Sequence, residues 1–348
     1  MTKQAFRYFP FQPELDSFPN IMTDSGRAAS TVLELSHWPG NKTPLKFKAD
    51  TSTEIVLKFL GSSEFEDYLS TVEWVSSDHY DVDGLLSVWV LTQGRRVLDD
   101  FDKLKDIATV GDFDKYVSDE SLKSCLILYY FEQSILQKAI EKSNWATNEV
   151  TRFLYQSMFS IVEDSLHRQG KYTHFWEDKY RQVQNDRNTI QTGKVEVTEH
   201  LEYDLAIIRS NKELSDFAIN ERVTALKVLC IYDRHYVLRY RYESFVEMAS
   251  MLAPYRLSLK PLAEQLNKIE KNGTWFCEDI VTAHPKLQLY TNSQVPGRST
   301  IDEAVFVTRV LDYFQSMTNN FALQWHPSNG WQSSTEIPLP PSLLEYGV

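Results

Sequence analysis

Glycine is scarce in this chain, 12 residues in 348, and neither G-x-G-x-x-G nor G-x-x-x-x-G-K-[ST] occurs. The glycine loops that cradle dinucleotides or nucleoside triphosphates are missing, which sets kinases and Rossmann dehydrogenases aside. Cysteine is scarcer still. Cys125, Cys230 and Cys277 are odd in number and far apart, so they support neither a disulfide framework nor a C-x-x-C zinc site and read as reduced packing residues. No run of 18 apolar residues occurs, and the N-terminal stretch has no apolar core followed by small residues. Neither export nor membrane spanning is expected, and a cytoplasmic protein is. Positive charge is also short: 36 Lys and Arg against 48 Asp and Glu leave a net charge of -12. That balance is poor for neutralising the phosphates of a duplex, so duplex nucleic acid is not an expected partner. What remains, 42% hydrophobic and 13% aromatic residues, suffices for a sizeable core and excludes disorder and collagen-like structure.

Patterning along the chain points to an α/β protein. Ala29 to Leu35 is β-branched and apolar and runs into His37-Trp38-Pro39-Gly40, a strand ending in a turn. Ser52 to Leu60 reads as a helix behind the capping residues Thr51 and Ser52, with Ile55, Val56 and Phe59 at helical spacing. Thr71 to Ser76 is a buried-type strand that ends at Asp78-His79-Tyr80-Asp81-Val82-Asp83-Gly84, followed by an apolar helix. Strand, polar tip, helix is how α/β enzymes present reactive groups beyond the carboxyl ends of parallel strands. Ser121 to Arg168 reads as two long helices. Residues 171–200 are polar with little apolar periodicity and read as a linker or mobile loop. Beyond them lie strands at LEYDLAIIRS, ALKVLCIYD and HYVLRYRYE, then helices at Leu262 to Ile269 and Ile301 to Ser316, and a proline-rich tail. In HYVLRYRYE, alternation puts Val237, Arg239 and Arg241 on one face and Leu238, Tyr240 and Tyr242 on the other.

The densest chemistry sits at His79, Asp81 and Asp83. Carboxylates that close repel unless a cation or strong donors resolve the repulsion, and carboxylate plus imidazole suits a hard divalent ion such as Mn²⁺. An EF-hand does not fit, since counting from His79 puts Val90 at position 12. The plainer alternative is an Asx-type turn in which Asp81 and Asp83 cap the following helix. His37 beside Trp38 is a further ligand candidate, with a turn histidine as its alternative. Asp50 is another candidate, and could equally cap the helix at Ser52. Asp112 is a better candidate than Asp114, because Gly111 permits a tight approach. Arg239 and Arg241 could fork an anionic group, or make ordinary cross-strand ion pairs.

The segment His79-Tyr80-Asp81-Val82-Asp83-Gly84-Leu85-Leu86-Ser87 resembles the first motif of the DHH phosphoesterase superfamily, which includes RecJ-type exonucleases, family II pyrophosphatases and cyclic-dinucleotide phosphodiesterases. The stretch Leu35-Ser36-His37-Trp38-Pro39-Gly40-Asn41, followed by Asp50-Thr51-Ser52-Thr53-Glu54, is similar to the D-H-H-P-x-N region and the later aspartate of those enzymes. There is no Asp-His-His, and this stretch precedes D-x-D-G, so the resemblance implies a circularly permuted order. It also implies a manganese pair. The wider set, with Val110-Gly111-Asp112-Phe113-Asp114, RYRYES and LAEQLNKIE, looks like an uncharacterised bacterial family.

The expected architecture is therefore α/β: a DHH-like, mostly parallel metal-binding segment over 1–118, a helical insertion over 119–170, a polar linker over 171–200, and an α/β portion over 201–348 that completes the core and the substrate crevice. The expected function is metal-dependent hydrolysis of a small phosphoester or short oligonucleotide by a water activated between two ions. His79, Asp81, Asp83, His37, Asp50 and Asp112 would be the ligands, and Arg239 and Arg241 would hold the anionic substrate. Two rivals remain. One is a ureohydrolase-like dinuclear manganese enzyme, since H-x-D-x-D is chemically close to D-x-H-x-D. The other is a scaffold protein with a degenerate metal site.

Overall fold

Strands β1 (Arg7–Tyr8), β2 (Asn20–Thr23), β3 (Thr31–Leu35) and β4 (Trp74–Ser76) form a wholly parallel sheet in the order β1-β4-β2-β3. The computed structural model that shows this describes residues 5–140, 146–291, 295–317 and 323–329. The proline-rich tail lies outside them. Between β3 and β4 run α1 (Ser52–Gly61) and α2 (Phe65–Thr71). Thr51 starts α1, its hydroxyl accepting from the Glu54 N–H at 3.2 Å. After β4, α3 (Val82–Gln93) starts where Asp81 Oδ1 accepts from the Gly84 N–H at 2.7 Å, and it is buried almost throughout. Helix α4 (Phe101–Phe113) follows. It lies hard against the start of α3 because residue 111 is glycine: a Cβ there would lie 2.7 Å from Val82 Cβ.

Helices α5 (Asp119–Ile140) and α6 (Thr147–His167) extend the same core, Leu126, Tyr155 and Met158 joining Ile21, Leu35, Val56, Val75 and Leu86. The linker expected over 171–200 is instead α7 (Thr173–Gln191) followed by β5 (Glu196–His200). Its apolar residues are few but placed at helical spacing. Val183 and Ile190 are buried, Trp176 and Tyr180 pack on the core, and buried Asp186 accepts from Lys212 Nζ at 2.6 Å and the Ser215 N–H at 3.0 Å. A mostly polar helix is stable when one narrow stripe packs this well.

The described residues from 201 onward do not complete the first core as expected of 201–348, because they build a sheet of their own. Strands β6 (Leu205–Arg209), β7 (Lys227–Tyr232), β8 (His235–Tyr240), β10 (Thr274–Cys277) and β11 (Lys286–Tyr290) join β5 in the order β10-β11-β8-β7-β6-β5. Only β6 and β7 pair in parallel, across α8 (Asp216–Arg222). One face, with Ile207, Leu229, Leu238 and Leu287, meets α9 (Lys260–Asn267) and α10 (Glu303–Met317), while Ala206, Ile208, Val228 and Cys230 meet α8 and the end of α7. A two-stranded ribbon, β9 (Arg256–Leu257) with β12 (Gln324–Trp325), completes this half.

The halves meet where Phe113 at the end of α4 packs with Tyr242, Phe245, Val246 and Trp325. The Glu247 N–H donates to the His37 carbonyl at 2.7 Å, and the Glu247 carboxylate accepts from the Gly40 N–H at 2.9 Å and Lys48 Nζ at 2.8 Å. The loop carrying His37 is thus braced from the second half. No helix among the described residues is long and apolar enough to cross a membrane.

Glu270, just beyond α9, ties the second half together by accepting from the N–H groups of Lys271, Asn272 and Thr300 and the hydroxyls of Ser299 and Thr300. Burial alone would raise its carboxyl, but these donors outweigh it and hold it at about 2. A carboxylate depressed by folding stabilises the fold above its unfolded pKa, and the benefit fades as pH falls toward the folded value. Glu270→Gln should therefore cost about 1 kcal/mol at neutral pH, allowing for solvent screening. In urea titrations the deficit should shrink steadily below about pH 5; a deficit independent of pH would contradict this.

Candidate metal centre

In the parallel sheet, β2 and the two strands beside it each lead into a reactive residue at the carboxyl edge. Asp24 follows β2, His37 follows β3, and His79 follows β4. Asp24 has a φ of 50°, a left-handed conformation that aspartate tolerates better than most residues and that concentrates at functional sites. Its Oδ1 accepts from Ser52 Oγ at 2.7 Å, and the same Oγ accepts from the His37 N–H at 3.2 Å.

Both imidazoles are held the same way. His37 Nδ1 donates to the Asp50 carbonyl at 2.6 Å, which fixes the proton on Nδ1 because a carbonyl can only accept. His79 Nδ1 pairs with Asp78 Oδ1 at 2.9 Å, and the Trp38 ring lies 4.6 Å from the His79 ring. An oxygen on Nδ1 is the arrangement that orients metal-binding histidines, leaving Nε2 free to coordinate.

The two Nε2 atoms point at one shared carboxylate from opposite ends. His37 Nε2 lies 3.4 Å from Asp24 Oδ1, 3.7 Å from Asp83 Oδ2 and 3.3 Å from Asp112 Oδ2. His79 Nε2 lies 3.3 Å from Asp24 Oδ2 and 3.1 Å from Asp81 Oδ2. Two donor groups result, Asp24-His37-Asp83 and Asp24-His79-Asp81, with Asp24 in both. Donor atoms about 2.1 Å from one ion at tetrahedral or octahedral angles lie about 3.0 to 3.5 Å from one another, so these spacings suit an ion inside each group.

Three further observations fit cations there. Asp24 Oδ2, His37 Nε2 and Asp112 Oδ2 are buried without a hydrogen-bond partner, a costly state unless something else satisfies them. The carboxylates also crowd one another. Burial, then the charge of Asp24, pushes the Asp83 carboxyl up to about 7, and burial, then Asp83, raises Asp112 well above its ordinary range. Burial would likewise raise Asp24, but the two imidazoles outweigh it and hold that carboxyl low. Finally, Gly84 leaves space where a Cβ would come within 3.2 Å of both Asp24 Oδ2 and Asp81 Oδ1.

Of the residues singled out in the sequence, His37, Asp83 and Asp112 come together in one group, and His79 and Asp81 in the other. Asp81 both caps α3 through Oδ1 and faces His79 through Oδ2. Asp83 also accepts from the Ser52 and Thr53 N–H groups at 2.6 and 2.8 Å, pinning the start of α1 beside His37. Asp50 is corrected: its carboxylate turns away to accept from the Ser250 N–H at 2.8 Å, and only its carbonyl serves the site.

Arg239 and Arg241 are corrected too. Arg239 Nη2 donates to Asp216 Oδ1 at 2.7 Å and Asn220 Oδ1 at 3.1 Å. Arg241 donates to the Val223 carbonyl at 2.9 Å and to Glu243. Both are buried structural cations rather than a substrate fork. Asp24 is the residue the sequence reading missed, although Asn20-Ile21-Met22-Thr23-Asp24-Ser25-Gly26 repeats the pattern of a short strand followed by an acid and a glycine. Glu132 on α5 was also missed. Burial and then the charge of Asp81 push its carboxyl up to about 8, so this acid lies within electrostatic reach of the second group.

The chain belongs to a family of unknown function, DUF6687, whose model matches residues 4–325. No curated protein and no solved structure matches it.

Proposed function

We propose that this protein is a metal-dependent hydrolase, a phosphoesterase in which Asp24 bridges two divalent ions, with His37, Asp83 and Asp112 holding one and His79 and Asp81 the other. The observation that carries the reading is that the two oxygens of Asp24 face two separate imidazole-carboxylate groups at 3.4 and 3.3 Å. Carboxylate and imidazole donors without a thiolate suit Mn²⁺. The DHH resemblance supports the same reading in a permuted order, since the His37 loop and the D-x-D-G loop meet at the carboxyl edge of one parallel sheet.

A divalent pair held there would supply a water that ionises near neutral pH, and positive charge to offset the negative charge developing on an attacked phosphoryl group. The chain's own residues prepare the place. The Asp50 carbonyl and the Asp78 carboxylate fix the two imidazoles, Ser52 holds Asp24, and Trp38 covers one face of His79. With a net charge of -12, the surface disfavours a duplex and confines the substrate to small phosphoesters or short single strands. The three buried, unpaired thiols suit a reducing compartment, which we take to be the cytoplasm.

The test is a substrate screen of Mn²⁺-loaded protein with bis(p-nitrophenyl) phosphate, pyrophosphate and short oligonucleotides, and with arginine for the ureohydrolase chemistry. Phosphoester turnover abolished by chelator is expected. Turnover of arginine alone, or no turnover by protein that has bound metal, would overturn the phosphoesterase reading.

A further inference from the structure

With Arg239 and Arg241 committed inside the second half, any anion-binding side chains that assist the proposed ions lie elsewhere on the chain. The segment from Asp279 to Lys286 offers two. The Arg256 guanidinium donates to the carbonyls of Ile280 at 3.2 Å, Thr282 at 2.6 Å and Ala283 at 2.8 Å, so this loop is fixed from below. The next residue, His284, is exposed, and its ring stacks on Tyr242 with centroids 5.1 Å apart and planes 22° apart. Tyr242 in turn lies 6.1 Å from the His37 ring. His284 therefore stands one aromatic layer from the candidate centre, on the wall supplied by the other half of the molecule.

Two residues on, Lys286 opens β11 directly opposite Arg239 of β8, which puts the two side chains on one face of the sheet. Among the described residues, Lys286 Nζ makes no ion pair and the His284 imidazole makes neither a hydrogen bond nor an ion pair. Arg239, by contrast, is matched by Asp216 at 2.7 Å. An imidazole held by stacking and an ammonium without a close ion-pair partner, the latter within electrostatic reach of Asp114 and Glu278, have the chemistry of an anion clamp.

We propose that His284 and Lys286 are substrate-positioning residues that bind a phosphate group of the substrate on the second-half wall beside Tyr242, the ring that packs against His37. This rests on the phosphoesterase reading and extends it by naming the wall that recognises the anion. Imidazole N–H and ammonium donors supply hydrogen bonds to phosphate oxygens, while the carboxylates opposite select against an anion that arrives without ions to shield it.

The probe is inorganic phosphate, titrated calorimetrically into the full chain with and without Mn²⁺, with malonate as a carboxylate control. His284→Ala with Lys286→Ala should weaken phosphate binding at least about tenfold, while Mn²⁺ stoichiometry and far-UV circular dichroism stay as in the wild type. His284→Gln, which keeps a donor, should recover part of the loss. Equal phosphate affinity in wild type and double variant would overturn the proposal, as would binding of malonate in preference to phosphate. Failure of the wild type to take up Mn²⁺ would count against the dinuclear reading instead, and the wall would still be judged by the phosphate affinity of the metal-free proteins.

Discussion

Asp24→Asn should abolish binding of both ions together, lowering affinity for the pair by more than about 100-fold, because among the described residues its side chain is the one donor common to both groups. Asp81→Asn should weaken one ion and spare the other, since of the two donor groups Asp81 belongs to that of His79. The asymmetry is the informative part. Asn at position 24 keeps the size of the side chain and an oxygen for the Ser52 hydroxyl, so the fold has no reason to change. Inductively coupled plasma mass spectrometry after dialysis reads the stoichiometries, and circular dichroism reads the fold. Two ions retained by Asp24→Asn, or two lost by Asp81→Asn, would break the link between geometry and bridging.

Arg256→Ala is expected to have the largest effect on stability, about 3 kcal/mol or more, because it leaves buried acceptors unsatisfied around a cavity. Arg256 is fully buried and donates to Ser244 Oγ and to the carbonyls of Ile280, Thr282 and Ala283, with the rings of Tyr240, Phe245 and Trp325 each 5.3 to 5.6 Å from the guanidinium. Burial lowers its pKa to about 9, yet the proton is retained at neutral pH and the fork stays filled. Arg256→Lys should recover only a minor part, since an ammonium cannot span the same set of carbonyls. Denaturant unfolding measures the loss. A change within about 0.5 kcal/mol, the range of an ordinary surface substitution, would show that the fork is not what holds this loop.

The local signals in the sequence singled out most of the residues that the structure brings together in the candidate centre. Helical spacing behind Thr51 placed α1 to within a residue at its start, and D-x-D-G after an apolar strand placed Asp81 and Asp83 at the start of α3. Gly111 brought attention to Asp112, and in the structure that glycine lets α4 press against Val82. What stayed hidden depended on partners distant in the chain. Asp24 follows a four-residue strand whose role emerges only when β3 and β4 pair on either side of it. Asp50 sits at a motif-like position, but its carbonyl rather than its carboxylate reaches His37. The alternation in HYVLRYRYE gave the correct face for Arg239. It could not reveal that α8 brings Asp216 and Asn220 to that face. Likewise α7 has too few apolar residues to announce itself, and is a helix because Val183 and Ile190 find a core to fill.

The central claim, that one carboxylate joins two ions, is tested most directly by anomalous diffraction from crystals grown or soaked with Mn²⁺. The account predicts two anomalous peaks about 3.5 to 4 Å apart, one within coordination distance of His37 Nε2 and the other of His79 Nε2, with Asp24 contacting both. A single peak, or peaks that leave Asp24 uncoordinated, would contradict it.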